Sequence, residues 1–107
     1  MELRNLITFI HVAELGSFTK AADQLGYSQS TVSFQIKQLE DELECLLFER
    51  INHTITLTQR GHELVYYAHK ICALTDEFKD NIEEEKKCIG NMGIRRQQKP
   101  VILKNIL

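Results

Sequence analysis

Residues 28–43 read SQSTVSFQIKQLEDEL, and the rest of the architecture is arranged around them. Its apolar residues Val32, Ile36, Leu39 and Leu43 recur at intervals of four, three and four. That spacing lines them along one stripe of an α-helix and on no single face of a strand. Gln29, Ser30, Ser33 and Lys37 share another face that offers donors, acceptors and a cation without a carboxylate, and acids begin only at Glu40. A helix that is polar or basic over its first turns and acidic at its far end suits entry, N-terminus first, into a groove walled by phosphates. Its dipole and its first-turn N–H groups act in the same direction. The stretch therefore reads as a DNA-recognition helix. An ordinary surface helix with a solvated outer face has the same periodicity, so the flanking segments must decide.

Upstream, Leu3, Leu6, Ile7 and Ile10 recur at helical spacing, with Phe9, Val12 and Ala13 widening the apolar face. Residues 2–14 are a predicted first helix, and Gly16 is placed to end it. Ser17 offers an N-cap oxygen to a short second helix, residues 18–25, in which Ala21 and Ala22 leave room for a close neighbour. Gly26 and Tyr27 make a turn and Ser28 caps the third helix. Two helices joined by about three residues that include a glycine are the helix-turn-helix pattern, whose second helix enters the major groove.

Downstream the period changes. Residues 47–50 and 54–57 read as two short strands around Ile51, Asn52 and His53, a hairpin or wing in which Asn52 tolerates the left-handed conformation of a tight turn. Thr58 caps a long proline-free helix over residues 59–87. There Leu64, Tyr67, Ile71, Leu74 and Phe78 fall three, four, three and four apart, a heptad seam. At a rise of about 1.5 Å per residue, such a helix outruns the small domain before it. The seam is expected to pack on a second copy, giving a homodimer. The predicted architecture is mainly α: a winged helix-turn-helix over residues 1–58, a dimerisation helix over 59–88 and a basic tail over 89–107, disordered or the stub of something further.

Composition narrows the function. With 43% hydrophobic and 26% charged residues in 107, the chain reads as one small globular domain, or one domain with an appendage. It has no apolar run of membrane-spanning length and no signal peptide, which predicts a cytoplasmic protein with no membrane partner. Cys45, Cys72 and Cys88 form no C-x-x-C pair, so neither a disulfide framework nor a zinc site is expected. Redox sensing needs an electropositive surrounding, and that of Cys45 is acidic. His11, His62 and His69 join no acid or nucleophile at triad spacing. Paired carboxylates and a phosphate-cradling glycine loop are missing too, so no catalytic residue, cofactor or metal is assigned and the chain does not read as an enzyme. Residues 1–58 hold four basic and eight acidic residues, a net −4, which weighs against tight DNA binding by one subunit. The tail reverses the sign with Arg95, Arg96, Lys99, Lys104 and no acid.

Several short motifs stand in a telling order: Leu15-Gly16-Ser17-Phe18-Thr19-Lys20-Ala21-Ala22, Leu25, Ser28-Gln29-Ser30-Thr31-Val32-Ser33, Ile36-Lys37-Gln38-Leu39-Glu40, Leu47-Phe48-Glu49-Arg50, and Leu57-Thr58 with Gly61. Together they resemble the DNA-binding domain of LysR-type transcriptional regulators, over residues 1 to about 88. The resemblance implies a dimeric repressor or activator that binds double-stranded DNA. In the family an effector-binding domain follows the long helix. It is absent from these 107 residues, so binding is expected to be weak and to respond to no small molecule. A rival expectation is an interaction module that pairs with full-length relatives through the long helix and modulates them.

Within that frame Gln29, Ser30 and Ser33 are assigned to base edges, Gln29 being suited to bidentate adenine recognition. Ser17, Thr19, Thr31, Lys37 and Arg50 are assigned to phosphates. Helix capping is the competing role for the serines and threonines, and a salt bridge for Arg50. Three positions depart from the family pattern. Glu44 stands where a glycine is usual after the third helix. The wing tip Ile51-Asn52-His53-Thr54 offers only His53 where the family is commonly basic. Phe34 stands where a polar residue is common, either to meet thymine methyls or to pack under the wing.

Overall fold

A computed structural model describes residues 1–87 in the order α1 (Leu3–Leu15), α2 (Phe18–Leu25), α3 (Gln29–Leu43), β1 (Phe48–Ile51), β2 (Thr54–Leu57) and α4 (Gln59–Lys87). The tail, Cys88 and the lysine and arginine residues beyond it lie outside the described residues. The chain divides into two compact units, Met1–Cys72 and Ala73–Leu107.

In the first unit α1, α2 and α3 enclose one core. Leu6, Phe9 and Val12 of α1, Ala21 and Ala22 of α2, and Val32, Ile36 and Leu39 of α3 are buried together with Leu47. The α3 stripe thus faces inward as its spacing predicts, with Leu43 at its margin. On α1 the apolar recurrence holds except at Ile7, which is exposed, while Asn5 and Thr8 are buried. These two polar side chains are satisfied from α3: the Thr8 hydroxyl donates to Gln35 Oε1 at 2.6 Å, and Asn5 Nδ2 donates to Gln38 Oε1 at 3.2 Å. Each helix supplies its pair three residues apart, on one face.

The helix ends follow from local chemistry. Gly16 (φ 64°) closes α1 with its N–H on the Val12 carbonyl at 2.9 Å. Ser17 Oγ accepts from the Lys20 N–H at 3.1 Å to start α2, and Ser28 Oγ accepts from the Thr31 N–H at 3.2 Å to start α3. Glu44 ends α3 in the left-handed region at φ 55° and ψ 41°, a conformation that costs a residue with a Cβ roughly 1–2 kcal/mol. The loop around it holds it there: Cys45 N–H donates to the Glu40 carbonyl at 3.2 Å, and Leu47 N–H to Glu40 Oε2 at 2.8 Å.

The hairpin pairs Phe48 with Leu57 and Ile51 with Thr54. Its first strand lies one residue later than the sequence reading, so the turn is the two residues Asn52 and His53, at φ 51° and 66°. Two successive positive φ values make the turn whose twist matches that of the strands. Phe48 packs on Phe9 and Phe18, with ring centroids 5.4 and 5.9 Å away, and so fixes the hairpin to α1 and α2.

Thr58 opens α4. Its hydroxyl donates to the Leu46 carbonyl at 2.6 Å and accepts from the Gly61 N–H at 3.0 Å. Here glycine is a steric requirement, since a Cβ at position 61 would stand 2.3 Å from the Leu47 carbonyl oxygen and 2.8 Å from Leu57 Cδ2. Ala68 is fully buried, and Leu64, Val65 and Cys72 pack against the same core. The second unit is described only over the remainder of α4, residues 73–87.

Candidate nucleic-acid interface

With Val32, Ile36 and Leu39 turned inward, α3 presents Gln29, Ser30, Ser33, Phe34 and Lys37 along a shallow surface depression. All five come from the sequence-assigned DNA-binding set. No carboxylate lines the depression. Lys37 leans toward Asp41 one turn on, at 3.6 Å with both side chains well exposed, a pairing worth little in water that leaves the ammonium available. Gln29 makes no side-chain hydrogen bond within the described residues, so both ends of its amide are open to a partner. At the head of the helix Ser28 Oγ also lies 3.1 Å from Ser30 Oγ and 2.8 Å from Thr31 Oγ1. Thr31 is thereby drawn into the cap and stands outside the depression.

Phe34 is 65% exposed. Packing under the wing, one of the two roles open to it, is not what the fold shows. That place belongs to Phe48, between Phe9 and Phe18.

Ser17, Thr19, Arg50 and His53 lie outside the depression. Ser17 uses its hydroxyl as the N-cap of α2, and Thr19 is exposed in that helix's first turn. Arg50 rests its guanidinium over the Phe18 ring, 5.3 Å from the centroid. Among the described residues no carboxylate lies within ion-pair distance of it. Arg50 and the N-terminus of α2 are therefore neighbours through Phe18, with the charge unspent. His53 is exposed at the hairpin turn.

The expected seam divides. Leu64 packs partly on its own core, whereas Tyr67, Leu74 and Phe78 are 60%, 61% and 64% exposed and Ile71 is 39% exposed. Sequence reading missed the Asn5–Gln38 and Thr8–Gln35 bonds. Their signal was present as two polar pairs, each three residues apart: Asn5 and Thr8 on the inward face of α1, and Gln35 and Gln38 beside the apolar stripe of α3.

Among the described residues no helix is long and apolar enough to cross a membrane, and no cluster of His, Cys, Asp and Glu is arranged to hold a metal ion. Three helices, a two-stranded wing and a long following helix define a winged helix-turn-helix protein. Residues 3–62 match the family described as bacterial regulatory helix-turn-helix protein, lysR family. The chain belongs to that family. It is 45% identical over 94 residues to the uncharacterized HTH-type transcriptional regulator YwqM of Bacillus subtilis (strain 168), covering 88% of this chain and 32% of that protein. It is 48% identical over 79 residues to the HTH-type transcriptional regulator CzcR of Bacillus thuringiensis (strain Al Hakam), covering 74% and 26%. The chain thus spans about a third or less of the length of these curated relatives. Among solved structures, it superposes on the BenM DNA-binding domain in complex with catB site 1 DNA with a TM-score of 0.77 and 40% identity, covering 80% of this chain and 96% of that one. For the CbnR DNA-binding domain in complex with DNA the TM-score is 0.75 at 36% identity, covering 80% and 99%. The relatives are transcriptional regulators and not enzymes.

Proposed function

We propose that this chain binds double-stranded DNA sequence-specifically, as a homodimer, with α3 in the major groove. The observation that carries the reading is the row Gln29, Ser30, Ser33 and Lys37, free of carboxylates, on the outer face of a helix whose inner face is locked into the core. It is supported by the likeness to domains solved on DNA at 36–40% identity.

In this reading Gln29, Ser30 and Ser33 meet base edges, while Lys37, Arg50, Ser17, Thr19 and Thr31 meet phosphates. His53 touches the backbone from the wing. Dimerisation runs through Tyr67, Ile71, Leu74 and Phe78, large apolar side chains that recur at heptad spacing and are all exposed. Leu64 contributes at its margin. The net −4 of residues 1–58 makes each subunit's binding weak, so pairing of two half-sites supplies much of the affinity.

The test is fluorescence anisotropy of the purified chain on duplex DNA over a range of salt. Direct binding gives a linear fall of log affinity with log salt, with a slope of about −0.9 per phosphate neutralised. Lys37→Ala and Arg50→Ala each make the slope shallower by about one per subunit engaged. Absence of binding at low salt would refute the proposal.

A further inference from the structure

The row of polar residues on α3 is interrupted by one large apolar side chain. Phe34 lies among Gln29, Ser30, Ser33 and Lys37 with 65% of its surface exposed. The interior does not need it, since Val32, Ile36 and Leu39 fill the α3 side of the core. The hairpin does not need it either, since Phe48 already joins Phe9 and Phe18 there.

A phenyl ring neither donates nor accepts a conventional hydrogen bond, so it discriminates between base pairs only by meeting an apolar group. In the major groove the one methyl group on a base edge is at C5 of thymine, where cytosine carries only a hydrogen. Ser30, four residues before Phe34, and Lys37, three residues after it, share its helix face. The ring is therefore carried to the same depth of the groove as the hydrogen-bonding side chains. The surroundings also favour DNA over a protein partner: the depression offers a cation and no carboxylate to the phosphates on either side.

We infer that Phe34 is a specificity-determining residue that packs on a thymine C5 methyl, so that part of this protein's sequence preference is a preference for a methyl group. The inference rests on the reading of α3 as the helix in the major groove.

The experiment selects a binding site from random duplex DNA with the full chain, then replaces each thymine of that site, one at a time, with deoxyuridine. This removes the methyl and leaves the hydrogen-bonding edge unchanged. Losing one buried methyl weakens binding roughly four-fold, and the expected result is a loss of that size at one or two positions of each half-site. Phe34→Ala, exposed enough to spare the core and checked by its thermal midpoint, abolishes the dependence at those positions, while Phe34→Leu retains it. Uracil tolerated at every position by a chain that still selects a site would overturn the inference and leave major-groove binding standing. Uracil sensitivity that persists in Phe34→Ala would also overturn it. Failure of the wild type to select any site would overturn the underlying reading instead.

Discussion

Replacing Thr8 with valine tests what holds α3 in its roll about its own axis. Thr8 is fully buried and its hydroxyl donates to Gln35 Oε1, itself nearly buried, at 2.6 Å. Valine keeps the shape, and threonine and valine have similar helix propensity, so the change isolates the hydrogen bond. Stranding a buried acceptor costs about 1–3 kcal/mol, which for a domain of this size lowers the thermal midpoint by roughly 5–15 °C. Gln35→Met should cost less, because the Thr8 hydroxyl can turn to a carbonyl of its own preceding turn. The double variant Thr8→Val/Gln35→Met should recover to within about 0.5 kcal/mol of the better single variant, because both partners are then apolar. Urea unfolding of all four proteins at one fixed concentration measures the coupling. The double variant should also discriminate less sharply among DNA sites, because of the two polar ties between α1 and α3 only the Asn5–Gln38 bond then remains beside the apolar packing of Val32, Ile36 and Leu39. Additive single effects, with coupling below about 0.3 kcal/mol, would refute the reasoning.

Three further outcomes follow from the geometry. Glu44→Gly should raise stability by about 0.5–1 kcal/mol, as relief of the left-handed strain at φ 55° outweighs glycine's extra chain entropy; urea unfolding checks it, and a loss of stability would show that the loop does not need a left-handed residue. Gly61→Ala should destabilise by about 1–3 kcal/mol despite alanine's better helix propensity, because the new Cβ meets a backbone oxygen at 2.3 Å that cannot rotate away; thermal unfolding reads it. With α4 as the proposed dimer contact, Leu74→Glu and Phe78→Glu together should give monomers in sedimentation velocity, and a wild type that is monomeric at micromolar concentration would remove the basis for that role of α4.

The fold was legible where one physical rule dominates. The four-three-four spacing of Val32, Ile36, Leu39 and Leu43 admits only a helix, and Ser17, Ser28, Thr58 and Gly16 mark helix ends by capping chemistry that is local in sequence. The hairpin slipped by one residue because its register is set by the twist of the two-residue turn, and the sequence offers Ile51 equally to strand and loop. Less legible was anything that depends on a distant partner. Asn5 and Thr8 break an apolar face, and only the approach of Gln35 and Gln38 explains them. The long helix carries two apolar stripes, and the heptad spacing favoured the seam from Leu64 to Phe78 over the one formed by Gly61, Leu64, Val65, Ala68 and Cys72, which faces the core. Arg50 could be read as a salt-bridge partner until its place over Phe18 was known.

Base reading by α3 is tested by selecting binding sites from random duplex DNA with the wild-type chain, Gln29→Ala and Lys37→Ala in parallel. If α3 reads bases from the major groove, Gln29→Ala relaxes the preference at particular base pairs by about 1–3 kcal/mol and leaves the others intact. Lys37→Ala weakens all sequences alike and keeps the profile. A wild-type profile with no preferred positions, or one that Gln29→Ala leaves unchanged, would contradict the assignment of that face of α3 to base recognition.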